Sequence, residues 1–166
     1  MSGRVQHRAG RVTAAVMVAL ALAGCSRALV SPLPPPPYRD QVTAPYEGTW
    51  RALIRALAQD NVPLRTVAKD SGVLSSDDIV SPIGVYADCG SVGDVPLQGE
   101  ALVSFTIFVQ PNGGEATAVQ VNAKMRTQAH RRGDSGKLRH EPVYACASTG
   151  RWEANLLDAI RRQVRE

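Results

Sequence analysis

Two alternating segments joined by Pro111-Asn112-Gly113-Gly114 constrain this chain most. In the first, Ala101, Val103, Phe105, Ile107 and Val109 occupy every second position, with Leu102, Ser104, Thr106 and Phe108 between them. In the second, Thr117, Val119, Val121, Ala123 and Met125 alternate with Gln120, Asn122, Lys124 and Arg126. Successive strand residues point to opposite faces, so each segment presents one apolar face. Asn-Gly between two such runs is a strong hairpin signal. The pattern predicts an antiparallel pair covered on one side and largely wet on the other.

The cover is legible on both flanks. Tyr46, Trp50, Leu53, Ile54 and Leu57 recur at helical spacing after Pro45, which suits a helix start. Asp60-Asn61 and Pro63 end that helix after about 12–14 residues. Leu64 to Lys69 and Val73 to Ile79 read as strands around an Asp70-Ser71-Gly72 turn. Val143 to Cys146 adds a short extended segment. Leu156, Leu157, Ile160 and Val164 form the stripe of a closing helix capped by Ser148 or Thr149, with Arg161, Arg162 and Arg165 complementing its dipole. The simplest arrangement is α+β: an antiparallel sheet of four to five strands with an N-terminal and a C-terminal helix packed on one face, a two-layer sandwich.

Upstream of this domain the sequence changes character. Arg4, Arg8 and Arg11 precede an apolar run from Val12 to Ala23. A basic region, a short apolar region and small residues describe an export signal. The run is shorter than the roughly 20 residues a spanning helix needs. Leu22-Ala23-Gly24-Cys25 closes it and resembles the lipobox of bacterial lipoproteins. The resemblance implies cleavage between Gly24 and Cys25 and lipid on the Cys25 sulfur, with no other cofactor. Ser26 at the next position implies, in that family, an outer-membrane destination, here facing the periplasm. The alternative is a signal cut without lipidation, leaving Cys25 an ordinary residue. The first 24 residues hold three Arg and no acid, so their removal takes the chain from +4 to +1. A nearly balanced chain gives no electrostatic case for nucleic-acid binding.

Three regions are therefore expected: 1–24 as signal, 25–44 as a lipidated cysteine and proline-rich tether, and 45–166 as a single domain. Pro34-Pro35-Pro36-Pro37 favours polyproline II, and about 20 residues at 3.1 Å each would span roughly 60 Å.

Candidate chemistry is sparse. Cys89 and Cys146 are the two thiols left in an oxidising compartment, which predicts a disulfide. A catalytic Cys146 paired with His130 or His140 is the competing use. Those two histidines bracket a basic loop, and a metal site there would need carboxylates from elsewhere. None is expected. Asp77-Asp78 are adjacent on a strand and point to opposite faces, which suits solvated charges better than a catalytic pair. Arg132-Gly133-Asp134 matches an adhesion tripeptide but also suits a charged turn. No nucleophile elbow, phosphate loop or dinucleotide fingerprint is present.

Trp50-Arg-Ala-Leu-Ile-Arg-Ala-Leu57 followed by Val67-Ala-Lys-Asp-Ser-Gly-Val-Leu74 resembles the opening of the helix-grip domains of BamC-like outer-membrane lipoproteins. There a helix leads into a hairpin whose turn carries an Asp and a Gly, matched by Asp70 and Gly72. Cys146-Ala-Ser-Thr-Gly-Arg-Trp-Glu153 resembles the strand-to-helix junction of small exported lipoproteins. The resemblance implies a helix-grip fold without catalytic residues. The expected function is that of a non-enzymatic, lipid-anchored module binding envelope proteins. Its surfaces would be the sheet face around Gln120, Asn122, Lys124 and Arg126 and the 81–100 loop. Two alternatives come from other classes: a carrier of a small apolar ligand or lipid, and a thiol-dependent enzyme.

Overall fold

The computed structural model describes residues 29–33, 35–93, 95–127, 130–132, 138–140 and 143–166. The signal segment, the cleavage site, Cys25, Ser26 and most of the Arg132-Gly133-Asp134 tripeptide lie outside those residues.

The spine of the molecule is the expected hairpin. β9 (Glu100–Pro111) and β10 (Thr117–Thr127) pair antiparallel in unbroken register from Thr117↔Pro111 to Thr127↔Ala101. Both strands are far longer than their neighbours, so each outer edge is shared by two short partners. On the β9 side, β4 (Val73–Ser76) pairs with Thr106–Phe108, and β5 (Ile79–Pro82) pairs with Glu100–Val103. On the β10 side, β2 (Tyr38–Val42) pairs with Thr117–Val121, and β13 (Ala145–Ser148) pairs with Met125 and Arg126. β3 (Leu64–Ala68) pairs with β4 at one end, and β6 (Ala87–Asp88) pairs with β13 at the other. The result is an eight-stranded antiparallel sheet rather than one of four to five strands.

Strands beyond that expectation are β2, β5 and β6 in this sheet, and a separate three-stranded sheet of β1 (Leu29–Val30), β7 (Ser91–Val92) and β8 (Val95–Pro96). Tyr38–Val42 was expected to belong to the tether, yet it is a strand of the sheet, and Val42 and Ala44 are buried. Leu29–Val30 (β1) also pairs, with β7 (Ser91–Val92), which in turn pairs with β8 (Val95–Pro96). Folded structure therefore begins well before residue 45. An extended residue before or after prolines is equally ready for polyproline II or a strand, and only a partner decides between them. The 81–100 stretch is likewise not a bare loop, since β6, β7 and β8 lie within it.

α1 (Tyr46–Gln59) begins after Pro45 and ends in a Schellman motif. Val62 donates its amide to the Leu57 carbonyl and Asn61 to that of Ala58, while Asn61 takes φ 51°. α2 (Arg151–Arg165) follows Gly150, which has φ 77°. Neither Ser148 nor Thr149 is its N-cap. Ser148 Oγ instead accepts from the Gly150 amide at 3.0 Å, and Thr149 Oγ1 donates to the Val85 carbonyl at 3.0 Å.

One core joins these parts. Trp50, Leu53 and Leu57 of α1 and Trp152, Leu156, Leu157 and Ile160 of α2 are buried in a cluster with Val103, Phe105, Ile107, Val109, Val119, Val121 and Met125. Phe105 and Trp152 stack with centroids 3.3 Å apart. Each fully buried Leu or Ile removes enough apolar surface to contribute about 1.5–3 kcal/mol. The β3–β4 turn is held by Gly72, whose carbonyl accepts from the Val109 amide at 2.8 Å. At φ +66° a Cβ there would lie 2.0 Å from the Val109 carbonyl oxygen, so only glycine fits. Among the described residues no helix is long and apolar enough to cross a membrane.

Candidate functional site

β2 and β13 share one edge of β10 but do not meet. β2 stops at Val121 and β13 begins at Met125, so Asn122, Ala123 and Lys124 have β9 on one side and neither partner on the other. This window opens into a cavity of about 220 Å³ whose walls include Pro35, Pro36, Pro37, Tyr38, Asn122 and Ser148. Glu153 is also among its lining residues.

Glu153 is the third residue of α2. There a glutamate commonly turns back to the N-cap amide. In this chain Ser148 has taken that amide, and Glu153 Oε1 instead accepts from Ser148 Oγ at 2.6 Å. The residue is only 3% exposed, and its Oε2 is buried with no hydrogen-bond partner. Buried polar atoms without a partner are rare in native proteins and call for an explanation. The helix N-terminus favours the carboxylate but does not supply a donor to Oε2.

Both sides of the window are tied down. On one, Arg161 of α2 meets Asp40 of β2 at 2.6 Å and also donates to the Gln41 carbonyl at 3.2 Å. The Arg161 guanidinium and the Gln41 amide hold the Asp40 carboxyl below its ordinary value, against burial, and the same contact raises Arg161. On the other, Cys146 of β13 is bonded to Cys89 just after β6, with Cα atoms 4.2 Å apart. In that bond neither sulfur is available as a thiolate nucleophile.

A second concavity, about 860 Å³, lies along β2, β9 and β10. Arg39, Gln120 and Phe108 stand opposite one another in register, as do Gln41, Ala118 and Gln110, so all six face away from the helices. A third cavity of about 210 Å³ is lined by Ile79, Pro82, Tyr86, Val103, Phe105 and Trp152.

The four residues expected to form a partner surface divide among these features. Gln120 borders the large concavity, and its amide donates to Asn122 Oδ1 at 2.9 Å. Asn122 lines the window, and Lys124 is exposed beside it. Arg126 is engaged with Asp78 at 2.6 Å. Asp77 pairs instead with Arg65 at 2.6 Å, so the adjacent carboxylates do turn to different partners. His130 and His140 stand opposite each other in a short hairpin of β11 (His130–Arg132) and β12 (Leu138–His140). No cluster of three or more His, Cys, Asp or Glu that could hold a metal occurs among the described residues. Sequence reasoning missed Glu153, because a glutamate in a first helical turn ordinarily reads as a solvated cap residue.

No family model matches this chain, and no curated protein matches it either.

Proposed function

We propose that the chain is a lipid-anchored module of the cell envelope that binds a protein partner through the helix-free face of its sheet, with the helix-grip arrangement as its scaffold. The lipobox-like Leu22-Ala23-Gly24-Cys25 and Ser26 motivate the anchor and an outer-membrane address facing the periplasm. The observation that carries the reading furthest is the pairing of Leu29–Val30 with Ser91–Val92. Three residues lie between Cys25 and Leu29, and the four steps along the chain reach at most about 14 Å at 3.3–3.6 Å per residue. A lipid on Cys25 would hold the body against the bilayer, not on a 60 Å tether. Val30, Leu33 and Val95 are 59%, 91% and 61% exposed on or beside that small sheet, which suits an interfacial position. The sheet face carrying Arg39, Gln41, Phe108, Gln110 and Gln120 then remains open to a partner: one aromatic residue among polar groups, as protein interfaces are commonly built.

Cys25→Ser tests the anchor: the variant should accumulate as uncleaved or soluble protein, and unchanged maturation and membrane fractionation would overturn it. A photoreactive residue at Gln110, with Lys124 as a second position, tests the partner. Illumination of intact envelopes should yield a discrete crosslinked protein, and recovery of none from either position would remove that half of the proposal. A second reading, carriage of a small apolar molecule, is favoured only by the cavity beside Trp152, which at about 210 Å³ is smaller than the 300–1,000 Å³ of typical ligand sites. A lipid retained in native mass spectrometry would favour it.

A further inference from the structure

We propose that the β11–β12 hairpin is a second membrane contact, binding the phosphate headgroups of an anionic bilayer through Arg131, Arg132 and Arg139. This contact rests on the lipid anchor proposed above, and it sets how the anchored body lies on the membrane. β11 and β12 pair with each other and with no further strand among the described residues. A lone two-stranded hairpin is marginal in water. This one is also paired against its own charge. The register sets Arg131 directly opposite Arg139, and like charges at such positions destabilise a strand pair. The two strands hold three arginines and no acid. The connecting residues 133–137 add one Asp and one Lys, which cancel, and Glu141 follows the second strand. In a chain that is otherwise nearly balanced, this hairpin is a positive lobe in want of an anion.

The topology brings the hairpin and the anchor to one end of the sheet. β10 ends at Thr127, whose amide donates to the Tyr144 carbonyl, three positions before His130 and four after His140. The hairpin therefore grows from the end of the β10–β13 ladder. The anchor segment reaches the same end. β6 runs antiparallel to β13, so the chain beyond Asp88 passes Cys146, to which Cys89 is bonded, and heads toward Ala145 and Tyr144. β7 begins two residues past Cys89, with Leu29–Val30 paired to it. Exposed Val30, Leu33 and Val95 lie on or beside that small sheet. Apolar side chains, the approach to Cys25 and three arginines thus gather together. A lipid chain plus a basic patch is a common pair of membrane signals. Guanidinium forks match phosphate oxygens. Each Lys or Arg near an anionic surface strengthens binding about fivefold. Lipid phosphate is favoured over other anions because the anchor already presents a layer of it at this end.

The test uses the full chain carrying its lipid, reconstituted into vesicles of phosphatidylcholine alone or of phosphatidylcholine and phosphatidylglycerol at 3:1. Flotation reads the anchor, and amide hydrogen exchange of β11 and β12 reads the hairpin. The chain should float with both vesicles. The hairpin amides should exchange about fivefold more slowly, or slower still, on the anionic vesicles at 0.05 M NaCl, and the difference should collapse at 0.5 M. Arg131→Gln with Arg139→Gln should float as before and lose the difference. Equal exchange on the two vesicles would overturn the proposal while leaving the anchor standing. A difference that survives high salt or the double substitution would also overturn it. Equal protection on neutral vesicles by 10 mM inorganic phosphate would assign the hairpin to a free anion instead and refute the membrane contact. Failure to float with neutral vesicles would sink the anchor reading. The hairpin is then judged by flotation with anionic vesicles, which the double substitution should weaken and whose absence would overturn the proposal.

Discussion

Replacing Gly72 by alanine tests how the β3–β4 turn is locked onto the spine. Two separable costs follow from its surroundings. The backbone sits at φ +66°, where an L side chain costs about 1–2 kcal/mol. The new Cβ would also lie 2.0 Å from the Val109 carbonyl oxygen, a backbone atom of a central strand that cannot swing aside as a side chain would. Restoring ordinary contact at 3.4 Å requires a shift of roughly 1.4 Å. That displacement pulls the Gly72 carbonyl off the Val109 amide, now bonded at 2.8 Å, and leaves a donor in the sheet without its partner. Such a loss costs about 1–3 kcal/mol. The total expected is about 2–5 kcal/mol. Gly113→Ala is the internal control: φ is +81°, but nothing lies within 4 Å of its Cβ, so only the conformational cost of about 1–2 kcal/mol applies. Urea unfolding followed by circular dichroism reads both. With a slope of about 2 kcal/mol/M, the Gly72 variant should lose roughly 1–2.5 M in midpoint and the Gly113 variant about 0.5–1 M. Equal midpoints for the two variants, at unchanged slope, would refute the close-approach argument.

Other outcomes follow from the ties that hold the window. Breaking the Cys89–Cys146 bond by Cys146→Ser should destabilise by about 4 kcal/mol, since it releases a loop spanning 57 positions from the unfolded-state constraint. A reducing agent should lower the melting temperature of the unmodified protein and leave the variant unchanged. Asp40 has its pKa lowered in the fold, so the stability it contributes is present above the unfolded carboxylate value of about 3.9 and is lost as pH falls through the folded value. Asp40→Asn should therefore remove part of the acid sensitivity below about pH 4. At pH 7 its cost should stay near or below about 1 kcal/mol, because the pair is partly solvated. Acid titration of the two proteins side by side checks both, and identical profiles would contradict the assignment.

The parts legible from sequence are those whose signal is local. The β9–β10 hairpin announces itself through alternation and the Asn-Gly turn, and α1 through its stripe and the Asn61 stop. The strand Tyr38–Val42 has no such signature. It follows prolines, only Val42 is fully buried, and its place is decided by β10, whose paired residues lie about 80 positions away. Two-residue strands such as β6, β7 and β8 are too short to show any period at all. The disulfide was readable from cysteine arithmetic, but its consequence, a fixed distance between β6 and β13, was not. Glu153 was hidden for a different reason: whether a first-turn glutamate is solvated or buried depends on what packs over it and on what Ser148 does with its hydroxyl, and that is tertiary information.

The window persists for a reason visible in the same contacts. A gap in a sheet edge ordinarily closes, because unpaired backbone groups are costly and a neighbouring strand can slide to cover them. Here neither neighbour is free to slide. β2 is fixed in register with β10 over five residues and held to α2 by the Asp40–Arg161 pair. β13 is fixed to β6 by pairing and by the bond between Cys89 and Cys146, and to the start of α2 through Ser148 and Glu153. Two positions of one helix, Glu153 and Arg161, thus anchor the two strands that frame the opening, and the eight residue steps between them set the anchors about 12 Å apart at 1.5 Å per residue. Closing the window would require α2 to shorten or one of those ties to break.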